Sequence, residues 1–231
     1  MSYQQRQPAR GALRDMIPGA ATGSLSTNMI LGQVMFLVAV AIAFLAGGAY
    51  IGRNMSPRAG ELFFFGAFGL VLAQNFTRGT LRQGSLGMTV LFGIGLLLGL
   101  GLGPVLHTYT ETGHGGIVYR AAGGTALTVA AMGCYGYLTS TDILRWLRPV
   151  VFAFLGVIVV SWVLLLIGSG AQPVLQVIIY LLSAALLAMY MQMIRRGATE
   201  NDVVWIATGV FIQVVNIFLV LLSLFGGGGR R

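Results

Sequence analysis

The chain of 231 residues is 56% hydrophobic and only 9% charged, with a formal net charge of +8 and a mean hydropathy of +0.84. Soluble domains carry about a quarter charged residues, so an ordinary water-soluble globule is excluded. All 14 basic residues are arginines, scattered singly and in pairs between apolar stretches, which fits loops held beside anionic lipid rather than a stripe that binds nucleic acid.

Residues 1–27 read as a polar cytoplasmic arm with Arg6, Arg10 and Arg14. It is either a disordered tail, as its Gly, Pro and Gln suggest, or a segment that docks on a partner. The apolar run behind it is too long for a signal-peptide core and has no convincing cleavage site, so it is expected to stay as helix one, over residues 30–51. Ser56-Pro57 then restarts the chain with an N-cap serine and a proline at the first helical position. Helix two is predicted over 57–76, with Glu61 in its first turns.

A short polar loop leads to helix three, over 88–109, where Gly95, Gly99 and Gly103 fall on every fourth residue. Such a ridge lets another helix backbone approach closely; a pore-lining glycine stripe is the alternative reading. Pro104 is expected to kink the helix near its end. Helix four covers 117–138, with Arg120 near enough to its start to snorkel. Residues 143–147, with Trp146 between Arg145 and Arg148, suggest a short interfacial turn. Helices five, six and seven follow over 150–168, 174–194 and 203–225, before a Gly/Arg tail at 226–231.

The expected fold is therefore all-α: a polytopic integral membrane protein, with a seven-helix transmembrane bundle over residues 28–225. Nine arginines fall on the side of the N-terminal arm: Arg6, Arg10, Arg14, Arg78, Arg82, Arg145, Arg148, Arg195 and Arg196. Arg53, Arg58, Arg120, Arg230 and Arg231 make five on the other. The positive-inside rule then puts the N-terminus in the cytoplasm and the C-terminus outside.

An ionisable group held in hydrocarbon costs several kcal/mol and usually marks function. All six acids here, Asp15, Glu61, Glu111, Asp142, Glu200 and Asp202, fall in tails, loops or helix ends. A buried proton relay or a carboxylate pair lacks its raw material. His107, Glu111 and His114 are too few for a metal site without further ligands. The single cysteine, Cys134, can form neither an internal disulfide nor a cysteine cluster. No serine has a histidine to activate it, and no glycine run has the lysine of a phosphate-binding loop. No enzyme activity, cofactor or metal is expected. What remains is a set of neutral polar residues in the last two helices: Gln176, Tyr180, Ser183, Tyr190 and Gln192, then Thr208, Gln213 and Asn216. They read as interhelical glue, with a polar path or small cavity at mid-membrane as the alternative.

Several segments in this order resemble the Bax inhibitor family of seven-helix membrane proteins, and within it the bacterial YccA-like branch. They are Gly99-Leu-Gly-Leu-Gly103-Pro104, Ala121-Ala122-Gly-Gly-Thr125-Ala126, Tyr137-Leu-Thr139-Ser-Thr-Asp142-Ile-Leu and Asn216-Ile-Phe-Leu-Val-Leu-Leu222. The resemblance covers residues 28–225 and implies a bundle in which the last helix is central. It also implies two roles. One is a calcium or proton leak gated by an acid pair between helices six and seven. The matching positions here are Tyr190, or Met191 beside it, and Gln213, so the pair is absent and a proton-sharing gate cannot be built. The other is restraint of a membrane-bound ATP-dependent protease, with the arm as a handle. The resulting expectation is a non-enzymatic protein of the bacterial inner membrane, acting on another membrane protein as regulator or accessory subunit. The rival is a passive leak lined by Tyr190, Gln213 and Asn216.

Overall fold

In the computed structural model, residues 27–76, 84–167 and 172–227 are described. Among them the fold is helical throughout: α1 (Thr27–Gly52), α2 (Pro57–Phe76), α3 (Gly84–Glu111), α4 (Gly115–Leu138), α5 (Leu147–Ile167), α6 (Gln172–Arg195) and α7 (Val203–Gly227). The seven helices fall where the sequence places them, with ends shifted by a few residues. The arm, apart from Thr27, and the last four residues of the tail lie outside the described residues.

Local chemistry explains the boundaries. At the start of α2 the Ser56 hydroxyl accepts a hydrogen bond from the Ala59 amide at 3.4 Å, the N-cap arrangement expected before Pro57. α3 ends in a Schellman motif: the His114 amide donates to the Tyr109 carbonyl at 3.0 Å, the Gly113 amide to Thr110 at 3.3 Å, and Gly113 takes a φ of 74° that other residues rarely tolerate. α7 follows a one-turn 3-10 helix, Glu200–Asp202. There the Asp202 carboxylate accepts from both the amide and the hydroxyl of Thr199, at 3.0 and 2.7 Å.

Six of these helices are long and apolar enough to cross a membrane; α2 is not among them. α2 has 20 residues, about the 30 Å of a hydrocarbon core. Its apolar character is broken by Arg58 and Glu61 at one end and Gln74 and Asn75 at the other, so length supports a seventh span where composition does not.

α7 carries much of the core. Ile206, Ala207, Val210, Phe211 and Ile217 are each essentially inaccessible, and the helix packs along α1, α4 and α6. α3 packs chiefly between α1 and α2. Gly95, Gly99 and Gly103 face α1, while Gly101 meets Gly60 and Phe64 of α2. A Cβ on Gly95 would stand 2.7 Å from the Ala41 carbonyl oxygen and one on Gly103 would stand 2.7 Å from that of Ala49, while one on Gly99 would collide with the Leu45 carbonyl. These glycines are filled by backbone, which leaves no room for a pore along them. Gly52 of α1 answers from the other side, its Cβ position 2.5 Å from the Leu100 carbonyl oxygen. That is the carbonyl which Pro104, four residues on, deprives of its helical donor.

Candidate functional site

Among the neutral polar residues of α6 and α7, Tyr180 shares a hydrogen bond of 2.8 Å with Thr128 of α4, and two groups stand apart from it. Gln192 is fully buried but faces the connection between α4 and α5. Its side-chain oxygen accepts from the Ile143 amide at 3.0 Å, and its nitrogen donates to the Thr141 carbonyl at 2.6 Å. Beside it, Arg195 donates to the Thr139 carbonyl at the end of α4, and Arg196 pairs with Asp142 at 2.9 Å. These bonds clamp the α4–α5 connection against the end of α6. The Tyr137 hydroxyl donates to Asn28 at 3.4 Å, which brings the start of α1 to the same end of the bundle. This is the end that the arginine distribution marks. Trp146 is exposed there, in the 3-10 turn Leu144–Trp146.

The second group lines a cleft bounded by α2, α5, α6 and α7. Neither α2 nor α5 packs along α7 as α1, α4 and α6 do, and two cavities of about 200 Å³ each occupy the gap. Val71, Phe154, Leu155 and Ile212 line both, so the cavities are neighbours through one shared wall. Gln74, Tyr190, Thr208 and Gln213 border the first; Ser161 and Asn216 border the second. The structure thus brings Tyr190 and Gln213 to one cavity and sets Asn216 in the next.

Each position has a local cause. The Tyr190 ring lies over Gly209, where any Cβ would meet it, and stands edge-on to Trp205 with centroids 5.8 Å apart. Gln74, only 1% exposed, donates to the Thr208 hydroxyl at 3.2 Å, and Thr208 donates in turn to the Val204 carbonyl at 2.9 Å. A hydrogen-bonded relay therefore ties α2 to α7. Sequence reasoning passed over Gln74; its signal was an amide at the end of an apolar run, where an unpaired polar group would be expensive.

Two atoms in the cleft have no partner: the Gln213 side-chain oxygen and the Asn216 side-chain nitrogen. Ser183, buried within α6, is the third such group among the described residues. Gln213 is 4% exposed, and a buried polar atom left unbonded costs about 1–3 kcal/mol. No Asp, Glu, Arg or His lines either cavity, so the cleft is polar without charge. Its chemistry is hydrogen bonding to a neutral group, and it offers neither a nucleophile–base pair nor a carboxylate for a cation.

The remaining candidates lie elsewhere. Gly95, Gly99 and Gly103 serve the α1–α3 contact described above. His107 and Glu111 approach to 3.5 Å near the far end of α3, and the His114 ring lies 3.2 Å from the Thr112 hydroxyl. Among the described residues no three histidine, cysteine or acidic side chains gather as a metal site would require.

Comparison with known proteins places the sequence in a family. The sequence profile of the family described as inhibitor of apoptosis-promoting Bax1 matches residues 27–230. The Escherichia coli K12 protein named modulator of FtsH protease YccA is 30% identical over 222 residues, covering 90% of this chain and 94% of that protein. The same identity and coverage hold for a protein of a second Escherichia coli strain, O6:H1, named inner membrane protein YccA. An uncharacterized protein of Pasteurella multocida is 28% identical over 211 residues, 90% of each chain.

Proposed function

Because the chain belongs to the Bax inhibitor family, we propose that it is a non-enzymatic regulator in the bacterial inner membrane that acts by contact on a membrane-bound ATP-dependent protease. The observation that carries this reading is the likeness, along nearly the whole of both chains, to a protein named as modulator of a protease. The uncharged cleft supports it: a regulator that works by contact needs neither a buried acid pair nor a catalytic constellation. The leak alternative draws no comparable support. None of the relatives compared is named as a channel, and its gate would need a pair of carboxylic acids where Tyr190 and Gln213 stand.

In this reading α2 also crosses the membrane, giving seven spans, with the arm of residues 1–27 and the clamped α4–α5 and α6–α7 connections in the cytoplasm. The arm and the exposed turn around Trp146 are then the surfaces a cytoplasmic part of the protease would meet. The C-terminus lies outside.

The test is to isolate the full-length protein from its native membrane with and without residues 1–26, and to follow degradation of a membrane substrate of the host protease. Co-isolation of the protease, with slower degradation when the full chain is overproduced, supports the proposal. A protease that neither co-isolates nor changes its rate removes it. Reporters fused to the two termini should fall on opposite sides of the membrane; reporters on the same side would sink the seven-span arrangement.

A further inference from the structure

The arginines around the α4–α5 connection divide by partner. Arg195 donates to the Thr139 carbonyl and Arg196 pairs with Asp142, so both are held by the protein. Arg145, in the 3-10 turn, and Arg148, at the start of α5, are exposed. Among the described residues no carboxylate lies within 4.0 Å of either, and neither segment has an acid in its first turn. Two guanidinium groups three residues apart share a face, and at a membrane surface such an uncompensated pair draws an anion. The exposed indole of Trp146 between them fixes the depth, since tryptophan settles at the headgroup layer.

Below the arginines the same face of α5 continues with Phe152, Gly156 and Val159, at steps of four, four and three residues from Arg148, the spacing of one helical stripe. Phe152 is 73% and Val159 59% exposed, and a Cβ on Gly156 would meet nothing within 4 Å, so a shallow notch lies between the two side chains. One leaflet of hydrocarbon, about 15 Å deep, takes about ten residues of helix, which carries the stripe from Arg148 to Val159.

We infer that this stripe seats one anionic phospholipid of the phosphatidylglycerol class. Its phosphate lies at Arg145 and Arg148, whose planar forks suit phosphate oxygens, and one acyl chain runs along Phe152, Gly156 and Val159. A phospholipid with an ammonium headgroup fits less well, because it brings a third cation beside two guanidinium groups. A partner helix is the poorer occupant: helix association in lipid favours ridges of small residues, such as the one on α3, and here a single glycine stands between a phenylalanine and a valine. The inference rests neither on the proposed role with a protease nor on which side of the membrane the turn faces.

The full-length protein would be reconstituted in phosphatidylcholine vesicles containing a minor fraction of brominated lipid, either phosphatidylglycerol or phosphatidylcholine. Quenching of Trp146 is read as the difference between the native chain and Trp146→Phe. Phosphatidylglycerol should be preferred about tenfold, the order expected for two arginines at a membrane surface. Arg145→Gln with Arg148→Gln should abolish the preference. Arg148→Gln alone should lower it about threefold, so a double variant that inserts poorly still leaves a reading. Arg53→Gln with Arg58→Gln removes the same charge from another connection and should leave it unchanged, as should added inorganic phosphate. Val159→Trp in the Trp146→Phe chain moves the reporter down the stripe, where phosphatidylglycerol brominated deep in its chains should show the same preference. Equal quenching by the two lipids at either reporter, an equal loss from both arginine pairs, or displacement by inorganic phosphate would overturn the seat and leave only the general field of a basic protein. A Trp146 that neither lipid quenches would overturn it too, and point to another protein chain over the turn.

Discussion

Two of the contacts that α3 and α7 make with their neighbours differ in kind. Where α3 meets α1, backbone touches backbone: Gly95, Gly99 and Gly103 leave only enough room for the carbonyls of Ala41, Leu45 and Ala49. Where α7 meets α2 and α5, the helices stand apart and two cavities remain, with Gln213 and Asn216 unpaired beside them. In hydrocarbon, close packing is the main source of helix association, since lipid offers no hydrophobic drive. The α1–α3 contact is therefore one of the places where stability is made. The α7 cleft forgoes both close packing and the hydrogen bonds of two buried polar atoms.

The largest effect should come from breaking the tight side. Gly99→Ala places a methyl group against the backbone of α1, whose carbonyl cannot rotate away as a flexible side chain could. Overpacking of this kind costs about 1–3 kcal/mol, so the variant should unfold earlier in a detergent titration followed by circular dichroism. Gly99→Leu should fail to accumulate. An unchanged midpoint for Gly99→Ala would mean that the two helices are free to separate, and the contrast between the regions would collapse.

On the loose side the sign reverses. Gln213→Leu replaces an unbonded buried oxygen with apolar surface facing an apolar wall, which should stabilise the protein by about 1–2 kcal/mol, read in the same titration without added lipid. Loss of stability in Gln213→Leu would show that the side chain is a bonded structural element.

Much of this was legible in the sequence. The spacing of Gly95, Gly99 and Gly103 marked a close-packing face, and Ser56-Pro57 marked the start of α2, because each depends on a few neighbouring residues. The partner of the glycine face was not legible: Gly48 and Gly52 of α1 meet it only through a tertiary pairing that periodicity does not encode. Gln192 and Gln213 looked alike on paper, as amides in apolar helices. Gln192 finds three backbone groups of the α4–α5 connection, whereas the Gln213 oxygen finds none, and only the fold tells the two apart. Gln74 was missed for the same reason, since its value lies in Thr208, far along the chain. The seven helices were readable from apolar runs, but whether α2 crosses depends on how its neighbours shelter Arg58, Glu61 and Gln74, which composition cannot report.

The smallest expected effect isolates geometry from residue type. Gly93 lies on the same helix as Gly99, six residues earlier, yet a Cβ built there meets nothing within 4 Å. Alanine at Gly93 therefore gains helix propensity without a clash, about 0.5–1 kcal/mol by values measured in water. The gain should be smaller in a helix already ordered by lipid and by backbone bonds with no water to compete for them. Gly93→Ala should raise the unfolding midpoint slightly where Gly99→Ala lowers it. The same chemical change on one helix would then have opposite signs, decided only by whether α1 stands in front of the residue. Equal destabilisation by both would mean that α3 needs glycine for backbone flexibility, around Pro104 for instance, and that the close approach of α1 is a consequence of that flexibility rather than its purpose.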